Sequence, residues 1–473
     1  VLLFRLLKKE YSLSHLERLW PWLIALKVVV VSVMIMLPLN LPHVWRQVDT
    51  LAVAMRYWQR WTIGSDPHPL WPAVLNSGDY FGYMGMELPL VNLMAAPFFA
   101  AGPMAGTKIS MFALFGLNII LWLLALRVWR GISIGCIDVA RALRWLPLIG
   151  ISAINFGRFL PDTAAMLFCL SGCGLVWKNR LNPIGLGLMA VGTLIKPTAC
   201  VTFAVLLLKP ESLREKTLTV VQPVVAVVIT LVYYLRLVPM LDRIEDNDPL
   251  FATQLRNPVE TISSFFRQPL RILDMIETNI FFPGAMLALG VLLVAGRKTS
   301  GVRTMWLVLG LIIMQGLAIV ALDGDHSLAH SYYYAGLSPL VVLLTAGLLN
   351  LPADNAAFKF AKGFGCLAII LAQLFAAQFD LRSLHFPPKA ARMPMFAECS
   401  SLKAALPDLP WNQGYVFRTV DHDYPKLGLC FGERTASKTS GYGIFYRDEE
   451  IPTDCSDLQA SKNFRVVRCR EVR

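Results

Sequence analysis

The stretch LPHVWRQVDTLAVAMRYWQRW, Leu41 to Trp61, follows the first long apolar run of the chain. It sets an Arg, a Gln and an Asp where a membrane span should be releasing into water. From Asp49 onward the apolar residues Leu51, Met55, Trp58 and Trp61 recur at helical spacing, whereas Asp49, Arg56 and Arg60 are separated by seven and four residues. At about 100° per residue those three polar positions fall within roughly 20° of one line. The spacing predicts an interfacial helix, greasy on one side and charged on the other, anchored by Trp and Tyr at headgroup level with a basic stripe that can meet phosphate. Asp49 also has a plainer reading. As the N-cap of that helix its carboxylate would accept from the orphan amides of the first turn.

The surrounding composition fixes the class. With 55% hydrophobic and 16% charged residues over 473 positions, a soluble globular chain would leave far too much apolar surface in water. The net charge of +12 raises a nucleic-acid reading, but the Lys and Arg residues sit in short clusters between apolar runs rather than along one face. Orientation in a bilayer accounts for them. Residues Val1 to Trp20 mix basic and apolar side chains without a small-residue cleavage site, which reads as a cytoplasmic lead-in helix and not a signal peptide.

A span takes about 20 apolar residues, fewer where neighbouring helices shelter it. Eleven runs qualify: Pro21 to Leu41, Ile109 to Val128, Ala140 to Phe156, Thr163 to Trp177, Pro183 to Leu194, Ala199 to Leu208, Leu218 to Leu237, Phe281 to Ala295, Thr304 to Leu322, Ala335 to Leu349 and Gly363 to Phe379. With the N-terminus inside, the cytoplasmic loops hold Arg127, Arg130, Arg141 and Arg144, then Lys178 and Arg180, Lys209, Arg214 and Lys216, Arg297, Lys298 and Arg303, and Lys359 and Lys362. The outer loop from Val238 to Ile280 holds more Asp and Glu than Arg, and Asp323 to Tyr333 has no Lys or Arg. The basic excess therefore predicts an N-in, C-out topology. Leu88 to Ala101 is apolar enough to span, yet counting it would turn the arginines from Arg127 to Arg144 outward. It reads instead as a second helix lying at the outer interface.

After Phe379 the hydrophobicity collapses, and residues 380–473 read as a small soluble α/β domain on the outer side. Cys399, Cys430, Cys455 and Cys469 all fall inside it, which in an oxidising compartment allows two disulfides by any of three connectivities. No zinc-type Cys and His spacing, P-loop or GxGxxG after a strand is present.

The remaining ionisable residues of the apolar region sort to one side. Glu87 opens the second interfacial helix in GMELP, Arg158 and Asp162 flank the third span in GRFLPDT, Lys196 closes the fifth in LIKPT, and His326, His330, Tyr332, Tyr333 and Tyr334 precede the tenth in DGDHSLAHSYYY. The predicted topology puts all of them on the outer face. Ionisable groups at membrane depth are expensive and usually functional. Carboxylates beside Lys, Arg and His at a lipid boundary suit a lipid-phosphate substrate, because transfer from it needs a deprotonated acceptor hydroxyl and a stabilised leaving phosphate. Plainer roles stand beside these: Arg158 and Lys196 as cations snorkelling to headgroups, Tyr332 to Tyr334 as interfacial belt aromatics, and His326 as a loop histidine without a task.

At these residues the sequence resembles a known family. HVWRQVDTLAVAMRYW is similar to the first-loop motif of GT-C glycosyltransferases that use polyprenyl-phosphate sugars, in particular the bacterial membrane family of lipopolysaccharide-core galacturonosyltransferases, lipid A aminoarabinose transferases and protein mannosyltransferases. GMELPLVNLMAAPFFAAG resembles its second juxtamembrane helix, NFGRFLPDTAAMLF its Arg and Pro-Asp motif, LIKPTA its lysine-proline turn, and HSYYYAGLSPL its late His-Tyr-Tyr segment. The likeness covers residues 20 to about 350 in order and leaves 380–473 outside.

The resemblance implies an all-α polytopic membrane protein of about eleven transmembrane helices, with residues 1–379 as the catalytic domain, 42–107 as a first outer loop carrying two juxtamembrane helices, and 238–280 as a lid-like outer loop. It implies Asp49 as the catalytic carboxylate, general base or metal ligand, with Asp162 and Glu87 as candidate second acidic groups. Arg158 and Lys196 would contact the lipid phosphate, His330, Tyr332 and Tyr333 would line the donor pocket, and Arg46, Arg56 and Arg60 would add cations. Asp49 and Asp162 are the candidate ligands of a divalent ion (Mg2+, Mn2+ or Zn2+). Some relatives carry adjacent carboxylates in the first loop, but Val48 precedes Asp49 here, so the choice between base and metal ligand stays open. The implied enzyme is an inverting glycosyltransferase of the bacterial inner membrane, passing a sugar from polyprenyl phosphate to a glycan, lipid or protein acceptor on the periplasmic face. A transporter or flippase of lipid-linked saccharides is the alternative. It predicts polar residues toward the bilayer midplane, where these spans are apolar. A third reading, an envelope assembly protein, makes 380–473 essential and Asp49 dispensable.

Overall fold

The computed structural model describes residues 13–36, 44–63, 87–135, 137–149, 155–237, 302–323, 331–350, 417–418, 442–446, 453, 455–460 and 464–469. Helices dominate the apolar part: α1 (Leu13–Met36), α2 (Val44–Ile63), α3 (Leu90–Ala95) continued by the 3₁₀ stretch Ala96–Ala101, α4 (Pro103–Trp129), α5 (Val139–Leu143), α6 (Pro161–Lys178), α7 (Pro183–Ile195), the 3₁₀ stretch Pro197–Leu208, α8 (Leu213–Val232) ending in a π-turn Tyr233–Leu237, α9 (Val302–Asp323), the 3₁₀ stretch Ser331–Leu337 and α10 (Ser338–Asn350). Among the described residues four helices are long and apolar enough to cross a membrane, Glu17–Met36, Met104–Trp129, Arg214–Leu237 and Tyr333–Asn350. Large apolar side chains such as Trp22, Ile120, Val224, Val228 and Ile313 are exposed on these and neighbouring helices, as a lipid-facing surface requires.

The chain forms two compact units. One draws on residues 1–31, 115–233 and 254–379, the other on 32–114, 234–253 and 380–473. In the first unit α6 is the central element, buried along nearly its whole length. It starts where Pro161 takes the first helical position, a place where its missing N–H costs nothing. α7 is capped by Asn182, whose side chain accepts from Gly185 N at 2.8 Å. α8 opens with a reciprocal capping box between Ser212 and Glu215. α6 and α7 run antiparallel in close contact. A Cβ on Gly192 would lie 2.6 Å from Ala165 O and 2.5 Å from Cys169 Sγ, so only glycine lets the backbones approach this far. Thr230 Oγ1 donates to Thr193 Oγ1 at 2.7 Å, joining α8 to α7, and Thr202 Oγ1 donates to Gly336 O at 3.1 Å. Indoles close other joints: Trp122 Nε1 donates to Leu143 O at 2.8 Å and Trp129 Nε1 to Leu170 O at 2.9 Å.

Among the described residues the expected apolar runs fall on helical elements, with three differences. The helix Leu13–Met36 takes in residues 13–20 of the lead-in, so the end of the lead-in and the first span form one element, carried through Pro21. The run Ala140 to Phe156 is not one helix. It breaks into α5, a 3₁₀ turn Leu146–Leu148 and a turn from Asn155, with residues 150–154 outside the described part. Pro147 supplies the reason, since it lacks the N–H that would carry the α-helical ladder onward, and the chain passes into the 3₁₀ turn that holds it. The fifth and sixth runs are separate elements on either side of Lys196, the second of them a 3₁₀ stretch. The runs at Phe281 to Ala295 and Gly363 to Phe379 and the loop 238–280 lie outside the described residues.

In the second unit α2 packs on α3 and the 3₁₀ stretch Ala96–Ala101 around Val53, Tyr57 and Ala96, with Trp58, Trp61 and Leu93 against them. Asn92 Nδ2 donates to Thr50 O at 2.6 Å and ties the two surface helices together. The first unit also carries a short antiparallel pair, β1 (Ser133–Ile134) and β2 (Ile137–Asp138). The second unit holds β3 (Phe417–Arg418), β4 (Tyr442–Tyr446), β5 (Cys455–Ala460) and β6 (Phe464–Cys469) in one sheet of order β3-β4-β6-β5. β3 runs parallel to β4 and the other pairs are antiparallel. The described residues of 380–473 are thus strands and a turn. Cys455 is disulfide-bonded and stands opposite Cys469 in the ladder, while Cys399 and Cys430 lie outside the described residues.

Candidate active site

Register along the antiparallel pair α6/α7 locates the site of the first unit. Gly185 lies against Gly172 and Val176, and Gly192 against Ala165 and Cys169. Continuing that register carries Lys196 to the level of the first turn of α6, where Asp162 is the second helical residue. Lys196 stays out of α7 because Pro197 follows it. It adopts φ −151° and ψ 108°, the extended conformation that a residue before proline prefers. Its ammonium lies 4.6 Å from the centre of the Tyr333 ring. Tyr333 comes from the 3₁₀ stretch Ser331–Leu337, which packs on both α6 and Pro197–Leu208. Arg158 precedes α6 in a turn whose N–H donates to Asn155 O at 3.1 Å. Exposure is 6% at Arg158, 2% at Asp162 and 4% at Lys196, so none of the three is a solvated surface charge.

The carboxylate of Asp162 gains from the positive end of α6, whose first amides have no partner within the helix. Around it the described residues of this unit offer one carboxylate and two cations. They do not by themselves form a divalent-cation site, which needs several oxygen donors, and no group of three His, Cys, Asp or Glu gathers among the described residues. The set is instead suited to an anion held at membrane depth by Arg158 and Lys196 with an aromatic wall at Tyr333.

Sequence reasoning overlooked Asn155. It is fully buried, and neither its carbonyl nor its NH2 meets a protein hydrogen-bonding group. Only burial distinguishes it from an ordinary turn asparagine, and burial is not written in the local sequence.

In the second unit α2 begins at Val44, and the first turn carries no acidic residue. Asp49 therefore lies inside the helix, more than a turn past its start, and the N-cap reading is overturned. Arg46 shares that helix; at both positions the backbone is described. Both sides of α2 are covered, since Arg56 and Arg60 are each 3% exposed and Leu51 and Tyr57 are fully buried. Arg60 lies 5.9 Å from the Tyr57 ring centre. Glu87 is half-buried and precedes α3 by three residues instead of opening it. Tyr332 belongs to the 3₁₀ stretch Ser331–Leu337, described at the backbone, and His326 and His330 lie outside the described residues.

At the far end of α6 the charges are matched. Arg180 meets Glu211 at 3.0 Å and Glu215 at 2.9 Å, Lys209 meets Glu211 at 2.6 Å, and Thr219 Oγ1 donates to Glu211 at 2.8 Å. Burial alone would push the Glu211 carboxyl up, but its bonds from Lys209, Thr219 and Arg180 outweigh this and hold it below the usual range. A recess of about 460 Å³ opens here beside Gly131 and Trp177.

No family model matches the sequence, and no curated protein matches it. Among solved structures, the chain is similar to ArnT from Cupriavidus metallidurans bound to undecaprenyl phosphate, with TM-score 0.52 and 11% identity over 94% of this chain and 97% of that one. The chain has the GT-C fold. The apo state of the same ArnT gives TM-score 0.52 at 10% identity over the same shares. The Archaeoglobus fulgidus oligosaccharyltransferase in complex with zinc and sulfate gives 0.43 at 10%, over 89% of this chain and 68% of that chain. At such identities the GT-C likeness is one of backbone architecture. The site residues stand on their own geometry.

Proposed function

We propose that this chain is an integral membrane glycosyltransferase of inverting type that takes a sugar from a polyprenyl phosphate, undecaprenyl phosphate being the lipid bound in the ArnT structure, and transfers it to a cell-envelope glycan, lipid or protein on the extracytoplasmic face. The observation that carries the reading is the burial of Arg158, Asp162 and Lys196 at one end of the α6/α7 pair, with Tyr333 over the ammonium, in a chain of GT-C fold. In the proposed reaction the acceptor oxygen attacks the anomeric carbon while the bond from that carbon to the phosphate oxygen breaks. The electron pair leaves with the phosphate, where Arg158 and Lys196 stabilise the charge. Asp49 takes the acceptor proton, and Asp162 and Glu87 are the candidates for a second acidic role. Arg46, Arg56, Arg60, His330 and Tyr332 complete the proposed binding set. The accompanying topology is N-terminus cytoplasmic and C-terminus periplasmic in a bacterial inner membrane, with 1–379 as the catalytic domain and 380–473 as a soluble domain.

The test uses purified protein in liposomes, with polyprenyl-phosphate sugar donors and envelope acceptors. Asp49→Asn should abolish transfer while expression and membrane insertion are unchanged. Full activity in that variant with matched donor and acceptor sinks the assignment of Asp49.

A further inference from the structure

The turn before α6 is held on two sides. Phe156 packs edge-on to Phe115 and Trp122, each with ring centres 6.4 Å apart, and its carbonyl accepts from Asn118 Nδ2 at 3.1 Å. Gly157 presses on α1, where a Cβ would come within 2.5 Å of Val31 Cγ1. Asn155 begins this turn, and its backbone carbonyl accepts from Arg158 N, so the two residues share one turn just ahead of α6. Among the described residues it is the buried amide with neither end partnered by protein. Asn118 uses its NH2, and Gln222 leaves only its carbonyl oxygen without a partner. Three residues beyond Arg158 α6 begins, and there Thr163, fully buried next to Asp162, has a hydroxyl likewise without a protein partner. A buried amide that gains nothing from the fold is costly and is retained where a ligand completes it.

We infer that Asn155 is a positioning residue for the head of the lipid donor. Its NH2 donates to an oxygen of the phosphate held by Arg158 and Lys196, and its carbonyl accepts from a hydroxyl of the attached sugar. The inference deepens the proposed function and rests on its lipid-phosphate site. An amide suits this place better than a third cation, because it presents a donor to the phosphate and an acceptor to the sugar from one rigid plane.

The test measures binding of undecaprenyl phosphate to the full chain in detergent or nanodiscs, together with the melting temperature without lipid. Asn155→Leu, of similar volume, should weaken binding by about tenfold or more, the size expected for a lost hydrogen bond to a charged group. Its lipid-free melting temperature should equal or exceed that of the parent, because an apolar side chain replaces an unsatisfied one. Asn155→Asp should bind more weakly still, since it sets an anion against the phosphate. Unchanged binding in Asn155→Leu, or a lower lipid-free melting temperature, overturns the inference and makes the amide part of the fold. Lys196→Ala separates the two claims. If it loses undecaprenyl phosphate while Asn155→Leu keeps it, only the role of Asn155 falls. If all three variants lose the lipid but the parent transfers no sugar, the phosphate site stands and the transferase reading falls. If the parent itself does not bind undecaprenyl phosphate, both fall.

Discussion

The first turn of α6 carries Asp162, with Arg158 before it, Lys196 alongside and the Asn155 amide open at both ends; its last turn leads into Arg180, which is locked to Glu211 and Glu215. Both ends gather cations and carboxylates from elements distant in sequence. At the far end the charges meet in ion pairs and hydrogen bonds inside the protein, and Glu211 alone collects Lys209, Thr219 and Arg180. At the near end the lysine is stacked on an aromatic ring, and polar groups are buried without being used by the fold. Matched charges staple helices together, whereas polar groups kept buried at a cost are kept for a ligand. The difference is what the proposed function expects of the two ends of one helix.

The largest effects should come from the near end. Lys196→Ala and Asp162→Asn should each lower sugar transfer by roughly a hundredfold or more, while Glu211→Gln leaves it within about twofold, all measured in liposomes with one donor preparation. Equal losses in all three would erase the distinction. Next is the contact that sets the register. Gly192→Val must displace Cys169 and the Ala165 carbonyl, costing about 1–3 kcal/mol, and should lower the melting temperature by several degrees and transfer with it. A neutral Gly192→Val would show that α6 and α7 do not approach as described.

At the far end Glu211→Gln should cost about 1–2 kcal/mol of stability, since Lys209 and Arg180 lose a shared partner. The carboxyl of Glu211 lies below its ordinary value in the folded protein, so its contribution is fully present above the unfolded value, about 4.5, and is lost as pH falls through the lower folded value. The gap in melting temperature between the parent and Glu211→Gln should therefore be constant above about pH 5 and close as the medium becomes more acidic. A gap that does not change with pH would mean that the effect is not the carboxylate. The smallest change is expected for Arg180→Ala. Its side chain is 33% exposed, and loss of its two pairs should cost no more than about 1 kcal/mol in thermal or denaturant unfolding.

Much of this architecture was legible in the sequence, and the failures have physical causes. Apolar runs located α4, α6, α7, α8 and α9 to within a few residues, except that α4 starts six residues early at Pro103, because the drive to leave water is a local property of the chain. The Ala140 to Phe156 run misled because apolarity says nothing of Pro147 and the tight turns it imposes. In α2 the charged stripe was expected at headgroup level, and its arginines are covered by protein. Periodicity reports which residues share a face, and only the packing of Arg56 and Arg60 shows that the face is covered.

By itself the sequence determined that this chain enters a membrane, where several of its described helices run, and which ionisable residues stand out against an apolar background, because each of these depends on short stretches of chain and their cost in lipid. Tertiary structure alone decided that Lys196 comes level with Asp162 and under Tyr333, and that Asn155 is buried with nothing to bond. Those facts follow from glycines letting two helices touch and from a turn wedged between aromatic rings. Contacts between residues far apart in the chain leave no mark on the pattern of either one.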